Sequence, residues 1–210
     1  MDLGFAAIAL PVIIISAVFH EVAHGFVAYR LGDPTAKLLG RLTLNPIPHL
    51  DPLMSILLPL ILIISGSPVI FGAAKPVPVD PFNLRDGRRD MAIVSLAGPL
   101  TNLLIAAIFA FILSFIAPLF TADVTLLQIL FIVVQLNILL AIFNLLPIPP
   151  LDGSKIFALL LPEEYANRYL SIGSIGIFII FFLLLFPIGG FSLGNLIFQL
   201  LQFSLGLLGL

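Results

Sequence analysis

Cysteine is absent from all 210 residues, so neither a disulfide nor a thiolate metal site is open to this chain, and any metal must be held by nitrogen and oxygen. Charge is scarce as well. Asp, Glu, Lys and Arg make up 10% of the residues and leave a net charge of −2, which argues against a nucleic-acid partner. No polar block is long enough for a separate soluble domain, and inverted repeats are not evident. What fills the chain instead is apolar: 60% of residues are hydrophobic and the mean hydropathy is +1.23. That composition predicts an all-α, polytopic integral membrane protein, with residues 1–210 forming one membrane-embedded domain.

Apolar runs of spanning length extend from Leu3 to Tyr29, Leu53 to Phe71, Met91 to Ala117, Val124 to Leu146, Tyr169 to Phe186 and Phe191 to Leu210, giving five to six transmembrane segments. Pro11, Pro59 and Pro99 fall inside three of them and predict kinks or breaks. The nine basic residues set the orientation. If Leu53 to Phe71 enters and returns rather than crossing, all nine fall on one side, as the positive-inside rule prefers, so that segment reads as re-entrant. No basic stretch precedes the first run, which therefore does not read as a removable signal segment.

Inside that first run stands His20-Glu21-Val22-Ala23-His24, where polar groups are costly. Spacing of i and i+4 puts both imidazoles on one helix face, able to share a zinc ion, while Glu21 can reach a water activated by the metal. His24 lies about 9 Å of helical rise from Arg30, so the metal sits near the basic, cytoplasmic end. A catalytic zinc takes three protein ligands, and two histidines leave one to find. Asp152 is the foremost candidate, at the end of Asn144-Leu145-Leu146-Pro147-Ile148-Pro149-Pro150-Leu151-Asp152-Gly153, where prolines stop the helix and Gly153 permits a tight turn. Its alternative is an N-cap for a helix starting near Ser154. His49 and Asp51 are weaker rivals in the loop before the second run.

Taken together these residues resemble the site-2 protease family of intramembrane zinc metalloproteases, in its compact subgroup without PDZ or CBS domains. His20-Glu21-Val22-Ala23-His24 is similar to the family's HExxH, Ala97-Gly98-Pro99-Leu100-Thr101-Asn102 to its GPxxN element, and Asn144 to Gly153 to its NxxPxxPLDG element. The resemblance implies one Zn2+ per chain bound by His20, His24 and Asp152. It implies Glu21 as general base, with Asn102 and Asn144 supporting substrate or transition state. The substrate implied is a transmembrane protein, cut within or near its membrane segment, in the plasma membrane and on the cytoplasmic side. Extra length around Leu53 to Phe71 separates this chain from the shorter members.

A helical substrate must be unwound before its carbonyls can be attacked, so an extended clamp is expected. Leu38 to Asn45 alternates as a short strand would, and Lys75 to Pro81 is proline-rich and suited to a sheet edge. Either could pair with substrate by strand addition. Gln135, Asn137 and Asn144 could line a polar route for water, and Asn195, Gln199 and Gln202 form a polar stripe on the last run. The competing readings are a metal-ion transporter and a catalytically inactive membrane scaffold.

Overall fold

A computed structural model describes residues 3–57, 60–61, 64, 74–118, 124–173 and 175–210. Eight α-helices follow one another among these residues: α1 (Leu3–Leu31), α2 (Thr35–Leu38), α3 (Gly87–Ile116), α4 (Val124–Asn144), α5 (Asp152–Ala158), α6 (Glu163–Leu170), α7 (Ile175–Leu185) and α8 (Leu193–Leu207). Short 3-10 turns at Ile47–His49 and Pro81–Asn83 and a π-helical turn at Pro52–Leu57 also occur among the described residues.

Among the described residues three helices are long and apolar enough to cross a membrane, over Ala7–Leu31, Gly87–Ile116 and Thr125–Asn144. Pro11 and Pro99 lie inside helices that continue through them. The run predicted from Tyr169 to Phe186 is not one straight span: α6 and α7 meet at 73° and count as a fourth crossing only if taken together. Gly173, at φ +51, turns the chain after α6 in a left-handed conformation, and Gly176 lies so close to the Pro149 carbonyl that no side chain would fit. At 15 residues, α8 is shorter than a full crossing. Most of the predicted Leu53 to Phe71 segment, and with it the choice between crossing and returning, lies outside the described residues, as does most of the loop from Pro118 to Asp123.

The expected strands do not form among the described residues. Leu38 belongs to α2, and Gly40, at φ +66, turns the chain immediately after it. In Lys75 to Pro81 the prolines carry no N–H, and the amides of Lys75, Val77 and Asp80 go to the His49 carbonyl, Glu21 and Asp33 instead of to a ladder.

At the centre of the bundle, α3 packs against α1, α4 and α5. Gly98, Asn102, Ala106 and Ala110 recur every fourth residue and are all buried, a small-residue ridge that lets neighbouring backbones approach where hydrophobicity offers no drive in lipid. Ala106 and Ala110 meet Val134 and Ile138 of α4 and Leu201 and Leu205 of α8. Large apolar side chains such as Phe111, Phe115, Phe178 and Phe203 face outward, as lipid-facing positions do.

α1 ends in a Schellman turn: Gly32, at φ +116, bonds back to the Tyr29 carbonyl and the Asp33 amide to that of Ala28. The turn delivers Asp33 to a fully buried position, where its carboxylate accepts from the Thr35 amide and hydroxyl, the Asp80 amide and the Asn83 side chain. Burial alone would raise the Asp33 carboxyl, but these donors hold it below the usual carboxylate range. Asp33 thereby ties the end of α1 to the loop ahead of α3. Asp33→Ala is expected to destabilise the protein by about 3 kcal/mol, since several buried donors lose one acceptor, and thermal unfolding in detergent measures it. A depressed folded pKa means that this stabilisation is fully present above roughly pH 4 and is lost as pH falls through the lower folded value, so the deficit of the variant should shrink in acid.

Candidate metal centre

His20 and His24 project from one face of α1, and α5 brings Asp152 to them. His20 Nε2 and His24 Nε2 are 3.0 Å apart, and Asp152 Oδ2 is 3.1 Å from each. All three residues are buried, and among the described residues they form the one group of His and acidic side chains able to hold a metal ion. Asp152 is the first residue of α5 and its side chain caps nothing. The close approach in its motif belongs to Gly153, where any Cβ would overlap the Leu145 carbonyl, so α5 can fold back onto the end of α4 only with glycine at that position. Arg88 of α3 donates to the carbonyls of Ala158 and Leu161 and pins the other end of α5.

Which ring nitrogen faces the cluster is settled by hydrogen bonds behind it. His24 Nδ1 lies 2.7 Å from the Val94 carbonyl and must donate to it. On His20 the wiring is longer. Asn137 Nδ2 donates to the Val133 carbonyl at 2.9 Å and to Ser16 Oγ at 2.9 Å, which leaves its Oδ1 to accept from Asn102 Nδ2 at 3.1 Å. Asn102 Oδ1 is then left to accept from His20 Nδ1, at 2.7 Å. Both imidazoles therefore carry their proton on Nδ1 and turn a lone pair on Nε2 toward Asp152.

Asp152 faces them as a carboxylate, its charged form favoured by the Lys155 ammonium 3.2 Å from Oδ1. Three acceptor atoms thus converge, and a proton or a cation among them removes the repulsion. Their spacing is within a few tenths of an ångström of the roughly 3.4 Å between ligands of tetrahedral zinc, and two imidazoles with one carboxylate suit a three-ligand zinc with an open position. The donor set fits the metal.

The open side is a cleft of about 320 Å³ that Glu21, Val77, Asn144 and Lys155 also line. Glu21 is not in the metal group, and its Oε2 accepts from the Val77 amide at 2.7 Å. That amide lies in the extended segment 74–80, held by Arg41 on the Lys75 and Pro76 carbonyls and by Asp33 on the Asp80 amide. Asn144 Nδ2 donates to the Leu140 carbonyl at 3.0 Å. Asn102, expected to face substrate, is instead fully buried behind His20 with its amide committed to Asn137. Asn137, expected along a water route, is likewise buried in that relay. His49 and Asp51 are not brought to the cluster: His49 is buried with Nε2 donating to the Thr43 carbonyl, and Asp51 accepts from the Leu53 amide in its own turn.

Residues missed in the sequence include Ser16, Lys155, Asp33 and the Val94 carbonyl. Ser16 had a signal, standing one turn before His20 on the same face of α1; a backbone carbonyl has none.

Comparison with known proteins agrees with this geometry. The profile of Peptidase family M50 matches residues 119–187. YwhC of Bacillus subtilis (strain 168), a candidate zinc metalloprotease by name, is 40% identical over 186 residues, covering 86% of this chain and 81% of YwhC. The chain belongs to Peptidase family M50. Rip2 of Mycobacterium tuberculosis (strain ATCC 35801 / TMC 107 / Erdman), again a candidate zinc metalloprotease by name, is 36% identical over 158 residues, which is 72% of this chain but 57% of Rip2. The chain thus spans little more than half the length of Rip2. No solved structure matches it.

Two outcomes test the centre. An ideal Cβ at Gly98 would lie 2.5 Å from both Nε2 atoms, so Gly98→Ala should displace the rings and abolish stoichiometric zinc, read by elemental analysis of the purified protein. Asn137→Leu frees Asn102 to turn its amide over and present N–H to His20; zinc affinity should fall roughly 10–100-fold, measured by chelator competition.

Proposed function

We propose that this chain is a zinc-dependent intramembrane protease of the site-2 type, acting on peptide bonds within or near the membrane segments of transmembrane substrates. The observation that carries the reading is the convergence of His20, His24 and Asp152 on one point at the wall of a cleft, with Glu21 beside them and outside the ligand set. The position of both histidines inside the Ala7–Leu31 span supports chemistry at membrane depth. Lys155 on the cleft wall and Arg88 and Arg41 on the elements around it support the basic, cytoplasmic end of a plasma-membrane bundle.

When bound, zinc supplies polarisation of the scissile carbonyl and acidification of water. Glu21 then takes the proton of the attacking water and returns it to the departing nitrogen, and the Val77 amide fixes one carboxylate oxygen for that work. Asn144, on the cleft wall, is the side-chain amide nearest in role to an oxyanion donor. Asn102 orients His20 rather than touching substrate. The reading includes one membrane-embedded domain of five to six segments, with residues 53–71 and α8 supplying the additional ones, and an unwound substrate lying along segment 74–80.

A transporter would need a succession of exchange sites, and no second metal-holding group occurs among the described residues. Glu21→Gln separates the readings. Incubated with single-span membrane substrates, the variant should retain one zinc per chain while cleavage falls by a factor on the order of 10³, and a chelator should stop the unaltered protein. Cleavage by Glu21→Gln at the original rate would overturn the assignment.

A further inference from the structure

We propose that Lys155 is a positioning residue that restricts Asp152 to one-oxygen coordination of the metal and so keeps the fourth position open; the inference rests on the zinc-site reading above. Asp152 has two oxygens with different surroundings. Oδ2 faces the two imidazoles at 3.1 Å, whereas Oδ1 lies 3.2 Å from Lys155 Nζ. Among the described residues no other donor reaches Oδ1. A carboxylate with both oxygens unengaged can chelate a divalent cation with the pair, filling a position that an attacking water or a substrate carbonyl requires.

Lys155 is placed for this by α5 itself. It stands three residues after Asp152, on the same helix face, in the order that favours an acid followed by a base. The pair differs from an ordinary surface ion pair because the Asp152 side chain is only 11% exposed and the ammonium reaches it from the cleft wall. A charge-assisted hydrogen bond in such partial burial fixes geometry as well as charge. Gly153 against the Leu145 carbonyl and Arg88 on the Ala158 carbonyl hold α5 at both ends, so the carboxylate rotates about its own bonds or not at all. Lys155 removes that remaining freedom.

The test uses full-length protein in detergent, loaded with cobalt(II) in place of zinc. The unaltered chain should show the intense visible bands of a four-coordinate ion, lost in His24→Ala. Lys155→Met should weaken and shift those bands toward five-coordination and reduce zinc affinity roughly 10–100-fold, while Lys155→Arg restores both. Lys155→Gln, which keeps a donor without the charge, should move in the same direction as Lys155→Met and serves if that variant does not fold. Unchanged bands and unchanged zinc affinity in the folded Met or Gln variant would overturn the role of Lys155 and leave the metal centre standing. Absence of cobalt binding by the unaltered chain, or its persistence in His24→Ala, would overturn the metal centre itself.

Discussion

Two backbone carbonyls, of Val94 and Val133, decide which nitrogen of each imidazole faces the cluster, and the rest of the site depends on that decision. A carbonyl can only accept. The Val94 carbonyl therefore fixes the His24 tautomer in one step, and the Val133 carbonyl fixes that of His20 in three, through Asn137 and Asn102. With both protons drawn to Nδ1, two lone pairs and a carboxylate oxygen face one another at about 3 Å. Such a group is an unsatisfied arrangement awaiting a positive charge, and the fold is built to keep it so. Buried amides at zero exposure are costly in an apolar bundle unless their groups are paired, and here the pairing also carries the instruction to the ring.

The packing of the bundle serves the same end. Gly98, Asn102, Ala106 and Ala110 share one ridge of α3, so the stretch that admits the histidine rings, the relay and the apolar core are successive turns of one helix. Close approach at Gly98 leaves the rings touching α3 backbone, and close approach at Gly153 seats Asp152 opposite them. Rigidity at this point matters because a metal ligand displaced by an ångström loses its geometry. The wall formed by segment 74–80 is tied down differently, by Arg41 on its carbonyls and Asp33 on its amide, with its Val77 amide spent on Glu21. The end of α1, through its Schellman turn and Asp33, thus helps position the carboxylate one helix turn below the second histidine.

Much of the centre was legible because its parts obey local rules. Histidines four apart share a helix face whatever surrounds them, and a proline-rich stretch ending in Leu151-Asp152-Gly153 stops a helix and starts another. The three central helices were legible for the same reason, as long apolar runs. What the sequence could not convey are relations across the bundle. Tyr169 to Phe186 is as apolar as a span should be, yet Gly176 is packed against the Pro149 carbonyl and the helices on either side of the break meet at 73°. Alternation from Leu38 to Asn45 has the period of a strand, but α2 and the turn at Gly40 claim its first half. Lys155 reads in sequence as one basic residue among nine; its place on Oδ1 of Asp152 depends on how α5 is seated.

Asn102 shows how a motif can be located from sequence while the partners of its side chain depend on the fold. An amide near a zinc site has two plausible employments: donating to a developing oxyanion, or orienting a ligand. The first requires a free N–H facing the cleft, at the place where charge appears. Asn102 is wholly buried, offers its oxygen to His20 and its nitrogen to Asn137, and does not line the cleft. Turning it over to donate toward the ring would place N–H against the His20 N–H at one end and oxygen against the Asn137 oxygen at the other. The orienting role is therefore incompatible with the substrate-facing one in this arrangement.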